Sequence, residues 1–112
     1  MNPLAIVYSI FALVIIGLSV PLIKKKIKMN QGYGIRIAEA FKSEERWFEI
    51  NQYGGRLLLL WGIVIAITAV VGLPLEKKYW IPYSHIATII ILVGLGIVVG
   101  LIFRYAAKTK KD

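Results

Sequence analysis

Apolar and polar positions are segregated along this chain rather than interleaved. Leu4 to Ile23 is 20 residues without a charged side chain, Leu57 to Leu75 is 19, and Tyr83 to Phe103 is 21 with His85 as its single ionisable group. Between the first two lies a 33-residue segment, 24–56, that carries most of the polar side chains. At about 1.5 Å per helical residue each apolar stretch reaches roughly 30 Å, the thickness of a hydrocarbon core. A helix of a water-soluble bundle keeps a polar stripe, whereas Leu57 to Val71 and Ile86 to Phe103 are apolar on all sides. The pattern predicts an all-α membrane protein with three transmembrane helices over 4–23, 57–75 and 83–103. These spans take up 60 of the 112 residues, so 1–112 is expected to form one polytopic domain with no separate soluble core. The first span ends in Lys24-Lys25-Lys26 rather than in a small-residue cleavage site, and it reads as a retained anchor.

The loop 24–56 has its own punctuation. After the lysine patch Lys24, Lys25, Lys26 and Lys28, the run Asn30-Gln31-Gly32-Tyr33-Gly34 favours a turn, because Asn and Gly tolerate positive φ. Ser43 followed by Glu44 and Glu45 is an N-cap with two carboxylates in the positive field of a helix start. From there Trp47, Asn51, Gly54, Gly55 and Leu58 share one helical face, while Glu45, Glu49, Gln52 and Arg56 lie opposite. This predicts an interfacial helix between the first and second spans, with Trp47 and Phe48 against lipid or the other spans and the acidic side in water. Ile35 to Phe41 is expected to add a short surface segment.

Charge sets the expected orientation. The long loop holds 8 Lys and Arg, the segment 76–82 holds 2, and the tail from Arg104 holds 4. By the positive-inside rule the N-terminus and second loop are expected outside, and the long loop and C-terminus in the cytoplasm of a plasma-membrane protein. The net charge of +8 then reads as a topology signal and an attraction to anionic headgroups rather than as a nucleic-acid footprint. The chain has no cysteine, one histidine and a single aspartate at its last position, so thiolate, His-cluster and Ser-His-Asp chemistries are excluded. Neither a cofactor, a metal nor a catalytic residue is expected, and Glu44, Glu45 and Glu49 are expected on a solvated face rather than as acid–base pairs.

The loop residues resemble the SdpI family of small bacterial and archaeal membrane proteins. The resemblance rests on Asn30, Tyr33, Gly34 and Arg36, the Ser43-Glu44-Glu45 helix start, Trp47, Asn51 and the Gly54-Gly55 pair, all between the expected spans. It departs from the family pattern at Ile37 and Ile50. For one branch the resemblance implies immunity to a secreted peptide toxin.

The candidate ligand- or partner-binding residues are therefore Asn30, Tyr33, Gly34, Arg36, Trp47 and Asn51. Arg36 offers a planar fork to a phosphate or carboxylate, against the alternative of an arginine snorkelling to headgroups. Asn51 has amide groups to satisfy near hydrocarbon, either on a ligand or by pinning the loop to the second span. Belt anchoring is the expectation for Tyr33, Trp47, Tyr53, Trp61, Tyr79, Trp80 and Tyr83. Gly62 with Ala66, and Gly96 with Gly100, form small-residue pairs four apart for close helix packing, which leaves homo-oligomerisation open. His85 sits at the start of the third span, where it is expected to be solvated, with external pH sensing as the functional alternative.

The leading expectation is a binding or interaction protein of the membrane, whose partner is a peptide toxin or a regulatory membrane protein. An accessory subunit of a larger membrane complex is the first alternative. A small transporter or channel is the second, and the scarcity of intramembrane acids and bases weighs against it.

Overall fold

A computed structural model describes residues 1–110. Three long helices, α1 (Pro3–Ile23), α2 (Glu44–Gly72) and α3 (Trp80–Lys108), alternate in direction, and all three are long and apolar enough to cross a membrane. The first begins where Asn2 caps it: Oδ1 accepts from the Leu4 N–H at 3.0 Å, and Pro3 follows at the position where a missing N–H is harmless. The second is capped by Ser43, whose Oγ accepts from the Arg46 N–H at 3.0 Å. It ends at Gly72 rather than at Leu75, since Pro74 cannot continue a helix. The third starts at Trp80, earlier than its apolar run, because Pro82 falls within the first turn where no hydrogen bond is lost.

The interfacial helix expected between the first two spans is not a separate element. Residues 44–56 are the first turns of α2, in unbroken register with the span, and the only other regular structure in the loop is a 3₁₀ turn, Ala38–Lys42. With 29 residues α2 is about 43 Å long, roughly 13 Å more than a hydrocarbon core, so its polar start projects past the membrane instead of lying on it. Nothing between Glu44 and Gly72 breaks a helix strongly: Gly54 and Gly55 cost propensity but are held by tertiary contacts.

Two ladders of small residues pack α1 against α2. On α1, Ala5, Ala12 and Ser19 recur every seven residues and are fully buried. On α2, Gly55, Gly62 and Ala69 recur with the same spacing and are buried too. A Cβ on Gly55 would stand 3.1 Å from the Leu22 Cβ, and one on Gly62 would stand 2.7 Å from the Ile16 Cγ1, so the seam admits almost no further volume. A seven-residue repeat of this kind keeps one face on its partner through several turns.

The packing of α3 on α2 uses large residues instead. Trp61 donates from Nε1 to the Ile91 carbonyl at 3.1 Å and lies over Gly94, while Tyr53 and Tyr105 stack at 3.9 Å and 7°. At the end opposite the long loop, Asn2 donates from Nδ2 to the Gly72 carbonyl at 3.1 Å, and Tyr8 meets Tyr83 with ring centroids 5.8 Å apart. The N-terminus and the α2–α3 connection thus share one end of the bundle, and the long loop and the end of α3 share the other.

The belt expectation fails for three aromatics. Trp47, Trp61 and Tyr83 are buried against protein, whereas Tyr79 remains exposed. Of the small-residue pairs, Gly62 lies in the α1 seam and Ala66 packs on the core, but Gly96 and Gly100 meet nothing within 4 Å. Those two face away from α2, since Val98 and Ile102 fill the contact on the other side of α3.

Candidate functional site

The long loop is built from the end of α1 forward. Lys26 and Lys25 donate their backbone N–H groups to the carbonyls of Pro21 (3.0 Å) and Leu22 (3.2 Å), with Lys25 at φ 58°, which closes the helix as a Schellman turn. The lysines therefore stand at the negative end of the α1 dipole. Asn30 then folds the chain back: Oδ1 accepts from the N–H groups of Gly32 (2.8 Å) and Tyr33 (2.6 Å), and Nδ2 donates to the Lys28 carbonyl (2.7 Å). Tyr33 reaches α1 and donates its hydroxyl to the Leu18 carbonyl at 2.5 Å, and partial burial raises its pKa above the usual value.

Gly34 is the point of closest approach. Its φ of 120° disfavours any side chain, and a Cβ there would stand 2.8 Å from both the Asn51 Oδ1 and the Trp47 ring. That absence lets Asn51 pair with a peptide as a strand would. The Ile35 N–H donates to Oδ1 at 2.6 Å, and Nδ2 donates to the carbonyls of Ile35 (3.3 Å) and Trp47 (2.9 Å). Trp47, fully buried, donates from Nε1 to the Ile27 carbonyl at 2.8 Å and packs on Phe41. Gln52, expected in water, instead donates to the Ile23 carbonyl at 2.9 Å. Gly54 admits Ile35 and Ile102 where a methyl would collide.

All six candidate residues meet in this network. Trp47 and Asn51 spend their polar groups on the loop backbone, Asn30 and Gly34 shape the turn, and Tyr33 ties it to α1. Arg36 is the one whose charged group stays exposed, with Nη1 donating to the Gln31 carbonyl and the rest of the guanidinium turned to solvent. The arrangement can offer an anion a planar donor on a loop whose shape is set by its own hydrogen bonds. Among the described residues no buried side-chain polar atom lacks a partner.

A second centre was not singled out from the sequence. Arg46, only 7% exposed, donates four side-chain hydrogen bonds: Nε to Glu39 (3.2 Å), Nη1 to Glu49 and to the Thr109 hydroxyl (2.9 Å), and Nη2 to the Ala106 carbonyl (3.0 Å), with Nη2 also 3.1 Å from the Glu39 carboxylate as an ion pair. One side chain thus joins the 3₁₀ turn, α2 and the end of α3. Lys42 adds an ion pair to Glu39 at 2.8 Å, and that contact, with Arg46 behind it, holds the Glu39 carboxyl below the usual range. The available signal was the Arg46–Glu49 spacing of three on a helix. Nothing in the sequence pointed to Ala106 or Thr109, 60 residues and more away.

Fold and site together define a small multi-pass helical membrane protein whose long inter-span loop closes through hydrogen-bonded turns onto the start of its second helix. The sequence model of the SdpI/YfhL protein family matches residues 26–105, most of the chain, and the chain belongs to that family. No curated protein and no solved structure matches it.

Proposed function

We propose that this chain is a binding protein of the plasma membrane that recognises a membrane-active peptide or a regulatory membrane partner, and so confers immunity or signals the peptide's presence. The observation that carries this reading is the exposed Arg36 guanidinium, presented on a loop that Asn30, Trp47 and Asn51 hold in shape through hydrogen bonds within the chain. A preorganised donor loses little entropy on binding, and its fork suits a peptide carboxylate or an acidic side chain. Membership of the SdpI/YfhL family supports the same reading. No catalysis is part of it.

In this proposal the long loop and C-terminus face the cytoplasm and the N-terminus faces outward, as the distribution of basic residues implies. Single-cysteine variants at Glu45 and Lys77 test it: an impermeant thiol reagent on intact cells should label position 77 and spare position 45. The site itself is tested by comparing Arg36→Lys, Arg36→Ala and the exposed control Lys26→Ala, reading protein level beside protection of the host cell against added membrane-active peptides. Both Arg36 variants should accumulate normally and lose protection, because Lys keeps the charge but not the fork. Full protection by Arg36→Lys would reduce Arg36 to a snorkelling residue. An accessory-subunit role is the second reading, and Gly96 and Gly100 favour it by leaving a notch on α3 open to another helix.

A further inference from the structure

Next to the Tyr53–Tyr105 stack, α2 and α3 line an open apolar groove of about 560 Å³. Leu60 and Val64 form one wall, Val93 and Ile97 the other, and Trp61 against Gly94 forms the floor. Because the Trp61 N–H is already spent on the Ile91 carbonyl, the floor asks for no polar partner. From Ile89 to Leu101 the α3 wall runs about 18 Å, close to the depth of one leaflet of a roughly 30 Å core.

The loop end of this groove is marked by charge. Arg56 lies one turn before Leu60 on the α2 wall, and Arg104 lies two turns beyond Ile97 on the same face of α3. Both are exposed, and among the described residues the ion pairs involve Lys42, Arg46 and Lys78 but neither of these arginines. Two uncompensated guanidiniums therefore flank the mouth of an acyl-sized channel.

We propose that the α2–α3 groove is a binding site for one anionic glycerophospholipid of the leaflet beside the long loop, with an acyl chain along Trp61 and the phosphate between Arg56 and Arg104. A zwitterionic lipid brings the same phosphate but also a cation that the arginine pair repels. A second copy of the chain seated in parallel would bring its own Arg56 and Arg104 to the same level, where like charges oppose the contact. The site is separate from Arg36 and does not depend on the peptide-recognition reading.

The test is native mass spectrometry of the protein released from micelles holding equal amounts of phosphatidylglycerol and phosphatidylcholine. One phosphatidylglycerol should be retained with a preference of about tenfold, the order that two arginines near a headgroup supply. Arg56→Gln with Arg104→Gln should bring the preference to about parity, while Lys77→Gln with Lys78→Gln, an equal charge loss at the other end, should leave it intact. Val93→Trp should fill the groove and lower retention with both arginines in place, and Ile97→Phe serves the same purpose if that variant aggregates. Glycerol 3-phosphate should not displace the lipid. Equal retention of the two lipids, persistence of the preference in the double Gln variant, or displacement by glycerol 3-phosphate would each overturn the site.

Discussion

The two ends of the α2–α3 pair are held in different ways. At the loop end the contacts are polar and directional: one asparagine pairs with a peptide, one arginine donates four hydrogen bonds to three elements, and a tryptophan is sealed beneath a turn. Within the apolar spans the same helices meet through Trp61 on Gly94, which also line an open groove between them. Water explains the contrast. The loop end must exclude it, so every buried donor needs a protein partner, and the geometry becomes specific. In lipid, apolar side chains gain little by leaving the acyl chains, so helices touch where small residues permit close approach and otherwise leave room for lipid. Uniqueness of the fold is therefore concentrated at the polar end, and adaptability at the apolar one.

The largest blow to the polar end should come from Gly34→Val. It adds a β-branched side chain at φ 120° and drives a Cβ into Trp47 and Asn51, which combines backbone strain of about 1–3 kcal/mol with overpacking of similar size. Loss of folded protein on size-exclusion chromatography in detergent is expected, and normal elution and melting would mean the turn has another solution. Trp47→Ala should cost about 3–5 kcal/mol as a fully buried aromatic truncated in place, read as a lower midpoint of denaturation. An unchanged midpoint would show that the aromatic seal is dispensable.

Asn51→Leu preserves volume while stranding both polar groups of Ile35, at about 1–3 kcal/mol for each group left unpaired. A drop well short of that range would place water at the loop in the variant. Acid should act on the same end through Glu39. Its folded pKa is lowered by Lys42 and Arg46, so its stabilisation is complete above the usual value near 4.5 and is lost as pH falls through the folded value. Thermal midpoints should fall on acidification of the native protein below that pH, and Glu39→Gln should flatten this part of the profile. The apolar end should lose nothing: Gly96→Ala with Gly100→Ala should leave the isolated chain at least as stable as native, with a gain of up to about 1 kcal/mol per site, since a Cβ at either position meets nothing and alanine is the better helix former. A clear destabilisation would expose a helix partner on that face, and with it the subunit reading.

Segregation of apolar and polar residues determined the number of helices, their membrane-crossing length and the placement of distinctive chemistry in one loop, because hydropathy over some twenty residues is a property of the chain alone. The caps at Asn2 and Ser43 and the helix stop before Pro74 were also local, each following from backbone groups that neighbours must satisfy or cannot supply. Which residues of the loop recognise and which merely hold was not local. Asn51 and Trp47 had the same side chains either way, and only the return of Ile27 and Ile35 to α2 decided that their polar groups face the backbone, leaving Arg36 outside. Arg46 appeared in the sequence as one more positive charge, and its burial required α3 to end beside it with the Ala106 carbonyl free. Gly62 and Gly96 are alike in sequence, yet only the first lies in a helix seam, because a small residue permits close approach without choosing the helix that approaches. That choice rests on contacts between residues far apart in the chain, which become favourable only once the helices are in place.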